Sequence, residues 1–173
     1  MKIKKLIMKK IFLILIVLLL NACSVSIKFN GAYIDYTKFK TISITEFTNV
    51  AELVYAPLAN EFTEKLRDVY TKNTRLQVLN KNGDLHVEGE ITDYSLTPMA
   101  MSADSYASQT KLSVTINVRF TNTKNEEEDF EKRYTAYQTF ESNQMLNTVQ
   151  DDLLKLIIDD ITDNIFNDTA GKW

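Results

Sequence analysis

The ten residues KLSVTINVRF, Lys111 to Phe120, constrain this chain more than any other stretch. Apolar side chains stand at every second position, Leu112, Val114, Ile116, Val118 and Phe120, and alternate with Lys111, Ser113, Thr115, Asn117 and Arg119. A period of two sends successive side chains to opposite faces. The segment is therefore a strand with one face in a core and the other wet or covered by something polar.

Neighbouring segments supply the rest of a sheet. NTKNEEED, Asn122 to Asp129, is a charged hairpin loop, and a strand from about Phe130 to Phe140 continues the buried face through Tyr134, Ala136 and Phe140. Upstream, LHVEGEI alternates Leu85, Val87, Gly89 and Ile91 against His86, Glu88 and Glu90. The phase then changes to Tyr94 and Leu96, which predicts a bulge or bend near Thr92-Asp93. FKTISITEF, Phe39 to Phe47, reads as a first strand, RLQVL as a further short one, and Asn82-Gly83 or Gly83-Asp84 as a tight turn. Pro98 to Ser105 is a loop.

Two helices complete the pattern. The first runs from near Pro57 to Lys72, with Leu58, Phe62, Leu66 and Val69 as an apolar stripe and Glu61 and Lys65 spaced to pair at its edge. The last runs from about Gln144 to Asn167. At 100° per residue its apolar positions Leu146, Val149, Leu153, Leu154, Leu156, Ile157, Ile158, Ile161 and Ile165 cover an arc of roughly 200°, wider than the stripe of a surface helix. Either the core stripe drifts along a long helix or this helix touches more than its own domain. The order strand, helix, strands, helix gives an α+β two-layer sandwich, a mixed four-stranded sheet with two helices packed on one face.

Chemistry-bearing residues are sparse. His86 is the only histidine and lies on a polar strand face beside Glu88; Glu88 and Glu90 share that face about 7 Å apart, a weak acid/base pair. No serine stands in a G-x-S-x-G context. The run Glu126, Glu127, Glu128 and Asp129 lacks the alternate-residue spacing and glycine of a calcium loop and reads as a solvated turn. No enzyme, metal or cofactor is expected.

The single cysteine, Cys23, stands where a hydrophobic segment ends. Met8-Lys9-Lys10 precedes ten apolar residues, Ile11 to Leu20. A bilayer-spanning helix needs about 20, so the segment has the layout of a secretory signal peptide over residues 1–22. Leu20-Asn21-Ala22-Cys23 resembles the lipobox of bacterial lipoproteins, which implies lipidation of Cys23 and a membrane anchor. Ser24, where an aspartate would favour the inner membrane, points to the outer membrane, and Val25 to Asn30 hold no acidic export cluster. Residues 23–38 are then a lipidated terminus and tether, and residues 39–173 a single domain in the periplasm. Removing residues 1–22 takes five of the 20 Lys+Arg and none of the 23 Asp+Glu, leaving 15 against 23 and a net charge of −8. Such a chain is a poor candidate for nucleic acid.

The segments IDYTKFKTISITEFTN, YAPLANEFTEKLRDVYTKNTRLQVL, GDLHVEGEITDYSLTPMA, YASQTKLSVTINVRFTNT and NQMLNTVQDDLLKLIIDDITDNIF resemble the LPS-assembly lipoprotein LptE family, in its Bacteroidota form. The resemblance implies an outer-membrane lipoprotein, body facing the periplasm and a barrel lumen, in a one-to-one complex with the β-barrel LptD. It would help the barrel fold, plug it, and assist delivery of lipopolysaccharide to the outer leaflet. Relatives in Proteobacteria contact lipopolysaccharide through basic residues. Lys111, Arg119 and Arg133 are the candidates here, with pairing to Glu88, Glu90 and Glu131 as the competing reading. Asn117, Tyr137 and Asp152 are candidate barrel contacts. Asp168-Thr169-Ala170 matches the short O-glycosylation motif of Bacteroidota, with Thr169 as acceptor. The rival readings are a periplasmic lipoprotein binding a small apolar or lipid ligand, and a hydrolase using His86, Glu88 and Glu90.

Overall fold

The alternation at Lys111–Phe120 continues for two residues at each end in the structure, a computed structural model describing residues 34–99 and 108–171. In chain order the elements are β1 (Thr41–Ile44), β2 (Thr48–Asn49), α1 (Leu58–Asn73), β3 (Gln77–Leu79), β4 (Leu85–Pro98), β5 (Gln109–Asn122), β6 (Phe130–Glu141) and α2 (Leu146–Ala170). A 3₁₀ turn at Glu126–Glu128 lies in the charged hairpin. β5 pairs antiparallel with β4 and β6, while β1 pairs parallel with β3 and β4.

The strand order β3-β1-β4-β5-β6, with β2 also on β4, corrects the expectation of four strands to six. Part of RLQVL joins as β3. The stretch FKTISITEF is a strand only over Thr41–Ile44: the chain leaves the ladder after Ile44 and rejoins β4 beyond the stretch, as β2. Phe47, between the two, explains the interruption. Its N–H donates to Thr63 Oγ1 of α1 at 3.1 Å, and its ring meets Phe62 edge-on at 4.9 Å. The ring also lies over Gly89, where an added Cβ would stand 2.7 Å from it and 2.2 Å from the Asn117 carbonyl oxygen. Only a glycine admits that approach.

The register of β4 against β5 jumps between Ile91 and Asp93, where the phase change predicts a bulge. In the turn before β4, Asn82 takes the left-handed conformation at φ 60°, and a Cβ on Gly83 would stand 2.4 Å from the Ser43 nitrogen. The turn therefore folds tightly onto β1.

One apolar cluster joins sheet and helices. Ile42, Ile44, Val87, Ile91 and, from β5, Leu112, Val114, Ile116, Val118 and Phe120 meet Leu58, Phe62 and Leu66 of α1 and Leu154, Ile157, Ile158, Ile161 and Ile165 of α2. Each such side chain contributes about 1.5–3 kcal/mol by leaving water. Lys65 does not pair with Glu61 along its own helix. It crosses to Asp159 and ties α1 to α2. The broad apolar arc of α2 is only partly used inside the domain: Leu146, Val149 and Leu153 are half-buried, and Leu156 is 52% exposed.

Candidate functional site

The face of β4, β5 and β6 opposite the core carries most of the polar residues singled out from the sequence. Pairing places Glu88, Arg119 and Glu131 side by side across three strands. Arg119 Nη1 lies 3.4 Å from Glu88 Oε1 and its Nη2 3.3 Å from Glu131 Oε2. Asn117 Nδ2 donates to Glu131 Oε1 at 2.6 Å. That bond first, and the Arg119 guanidinium second, hold the Glu131 carboxyl below the usual carboxylate range. Further along the face, the Thr115 and Thr135 hydroxyls meet at 2.9 Å, and the Lys111 ammonium sits 5.4 Å over the Tyr137 ring.

An open cleft of about 290 Å³ beside this ladder is lined by Glu46, Glu88, Glu90 and Glu131 with Arg119 as the one cation. Arg119 is thus held by carboxylates, as the pairing alternative expects, and the cleft favours cations over phosphate. Lys111 and Arg133 remain. Arg133 is exposed and has no ion pair among the described residues. Of the expected barrel contacts, Tyr137 is 57% exposed on this face and Asn117 is engaged with Glu131. Asp152 lies elsewhere, exposed on α2.

The structure adds Ser43, which sequence reading missed, to the His86 and Glu88 that it singled out. Ser43 Oγ lies 2.7 Å from His86 Nδ1, and His86 Nε2 lies 3.2 Å from Glu88 Oε2. The types suit a nucleophile, base and orienter, but the burial does not. Ser43 is 0% exposed, and its oxygen already accepts the Gly83 N–H at 3.1 Å. No carbonyl carbon can reach it, so the line clamps the 81–84 turn over β1. The only sequence signal for Ser43 is that it interrupts Ile42 and Ile44.

Asp84 fixes the same corner. Its carboxylate pairs with Lys124 at 2.8 Å and accepts the N–H groups of Lys40 at 2.8 Å and Thr41 at 3.1 Å. The Lys124 ammonium, followed by the Lys40 amide, drives its carboxyl far below the usual range. At the far end of the helices, Thr169 is 2% exposed and its hydroxyl meets the Tyr70 hydroxyl while donating to the Ile165 carbonyl at 2.7 Å. Glycosylation there would require the end of α2 to open. Asp168 accepts the Tyr134 hydroxyl at 2.9 Å and pairs with Lys132. Burial, with Asp168 adding to it, pushes the Tyr134 phenol up.

Among the described residues, no helix is long and apolar enough to cross a membrane, and no group of three or more His, Cys, Asp or Glu is arranged for a metal ion. Cys23, the signal peptide and most of the tether lie outside the described residues.

The family model for lipopolysaccharide assembly, LptE, matches residues 39–169. The chain belongs to the LptE family. No curated protein sequence matches this LptE chain. Among solved structures it resembles protein XCC0632 from Xanthomonas campestris, at a TM-score of 0.54 and 7% identity over 73% of this chain and 81% of that one. It also resembles lipoprotein B from Nitrosomonas europaea (TM-score 0.44, 21% identity, 73% and 79% covered) and rare lipoprotein B from Shewanella oneidensis (0.44, 9%, 73% and 89%). The first likeness supports the α+β fold of the LptE chain and nothing about its ligands.

Proposed function

We propose that this chain is an outer-membrane lipoprotein, anchored through lipid on Cys23, whose domain assists assembly of an LptD-type β-barrel and plugs it during lipopolysaccharide transport. Membership of a lipopolysaccharide-assembly family supplies the process. The observation that carries the plug reading is the polar face of β4, β5 and β6, where Arg119 pairs with Glu88 and Glu131, Asn117 bonds to Glu131, and Thr115 meets Thr135. In a two-layer arrangement with both helices on the apolar face, that face is left uncovered by the domain's own helices and free to meet the polar interior of a barrel. The role is non-enzymatic. Lys111 and Arg133 are the better placed of the three lipopolysaccharide candidates, because Arg119 already neutralises two carboxylates. The small-ligand alternative has less support: the space between α1, α2 and the sheet is filled by Leu58, Phe62, Leu66, Ile116 and Leu154, each 0% exposed.

Photo-crosslinkers at Asn117, Tyr137 and Asp152 test the reading in cells. A single high-mass adduct containing the barrel is expected from these body positions. Depletion of the lipoprotein should lower assembled barrel before other envelope proteins. Absence of any adduct together with unchanged barrel after depletion would overturn it. Labelled fatty acid should enter the parent protein and not the Cys23→Ala variant.

A further inference from the structure

The two edges of the sheet are unlike. β3 is three residues long, too short to template another strand. β6 is 12 residues long and ends the strand order on the other side, pairing only with β5 among the described residues. From Tyr134 to Phe140 it reads YTAYQTF, without charge, proline or glycine. Monomeric proteins normally guard such an edge with one of these.

The helix above β6 is likewise unfinished. Lys65 on Asp159 and Tyr70 on Thr169 fix the side of α2 that faces α1, and Tyr55, just before α1, donates to Asp151 on the same side at 2.9 Å. Leu154, Ile157, Ile161 and Ile165 fix the side that faces the sheet. Turning on by 100° per residue brings Leu146, Val149, Leu153 and Leu156 to the side away from α1, above the open edge. These are the half-buried and exposed members of the apolar arc.

We propose that the β6 edge and this side of α2 bind a second copy of the chain, β6 against β6 antiparallel about a twofold axis at Tyr137. Charge selects the partner and the register. With Tyr137 opposite itself, Arg133 stands opposite Glu141 twice, Thr135 opposite Thr139 and Tyr134 opposite Phe140, all favourable cross-strand pairs. Moving the axis by one residue to Ala136 would instead oppose Glu131 and Glu141. Arg133 and Glu141 have no ion pair within the domain among the described residues, so the second copy supplies their counter-charges. The two α2 helices then pack their leucines across the axis, an isologous contact of the kind that closes dimers. The proposed plug is a single copy in its barrel, so the dimer is the form of the chain outside a barrel.

Cysteine pairing in the full-length protein in membranes tests this. Oxidation of Tyr137→Cys with copper phenanthroline should give a disulfide-linked dimer, because the two Cβ atoms would stand about 4.5–5.5 Å apart. Thr135→Cys alone should give about tenfold less, and recover when mixed with Thr139→Cys. The parent reports any pairing through Cys23. Arg133→Glu or Glu141→Arg should each weaken dimerisation of the purified full-length protein in detergent about tenfold, and the double reversal should restore it. Equal linkage at 135 and 137, no linkage at either, or linkage only to a different protein would overturn the proposal.

Discussion

One strand, β5, shows two ways of holding a protein together. Its core face is apolar volume: Leu112, Val114, Ile116, Val118 and Phe120 are each no more than 1% exposed. Its opposite face is a set of hydrogen bonds and ion pairs, from Lys111 over Tyr137 through Thr115 on Thr135 to Arg119 between two glutamates. The first face tolerates no charge, since nothing there can solvate one. On the second, polar groups find partners within the sheet, and at Arg119 water is near as well. Sequence alternation gives the two faces equal weight, whereas energy does not.

The largest effect should come from charging the core face. Ile116→Asp removes a fully buried side chain and leaves a carboxylate without partner or water, a change expected to cost more than about 4 kcal/mol and to abolish cooperative unfolding near room temperature. Asn117→Asp, the next residue on the other face, should unfold cooperatively. Similar denaturation midpoints for the two variants would break the comparison.

Gly89→Ala should come next, at about 1–3 kcal/mol, because its Cβ meets backbone, the Asn117 carbonyl, and not only the Phe47 ring. Phe47→Leu in addition would relieve the ring contact and leave the backbone contact, so it should restore little. Full recovery by that second change would show that the ring alone excludes a side chain.

How much of this was legible in the sequence depends on the reach of each cause. The strand phases of β4 and β5, the bulge near Asp93 and the buried stripe of α1 arise from local periodicity, and local periodicity is visible. The break between β1 and β2 is not, because it needs Phe47 against Gly89, 42 positions later in the sequence numbering. Lys65 offered a local partner in Glu61, yet Asp159 from another element lies closer. The motif around Thr169 reads three neighbours, while its burial depends on Tyr70, 99 residues earlier. Likewise Ser43 and Asp84 carry no motif; their importance comes from partners more than 40 residues away.

Asp84 stands between the two faces in size of effect. Its carboxyl lies below its unfolded value of about 3.9, so it stabilises the fold above that value, and the contribution is lost as pH falls through the lower folded one. Asp84→Asn should therefore cost about 2 kcal/mol at pH 7, a figure for hydrogen bonds to a charged group, and progressively less below about pH 4. Urea midpoints of parent and variant should converge in acid. A gap that persists there would assign the effect to packing of the turn.

The smallest effect belongs to Arg119, although it is the most connected cation of the polar face. Its two contacts, at 3.3 and 3.4 Å, are long for charge-assisted bonds, and its side chain is 59% exposed. Exposed pairs of this kind gain little over hydration. Arg119→Gln should shift the thermal midpoint by no more than about 2 °C, and less in 1 M salt. It should still leave a specific trace. Because the Asn117 amide is the first cause of the lowered Glu131 carboxyl, that carboxyl should rise in the variant but stay below its ordinary range in an NMR titration. A return to ordinary titration would make Arg119 the organiser of the ladder. A midpoint loss comparable to that of Gly89→Ala would mean that charge pairing on the wet face holds the sheet as firmly as volume does on the dry one.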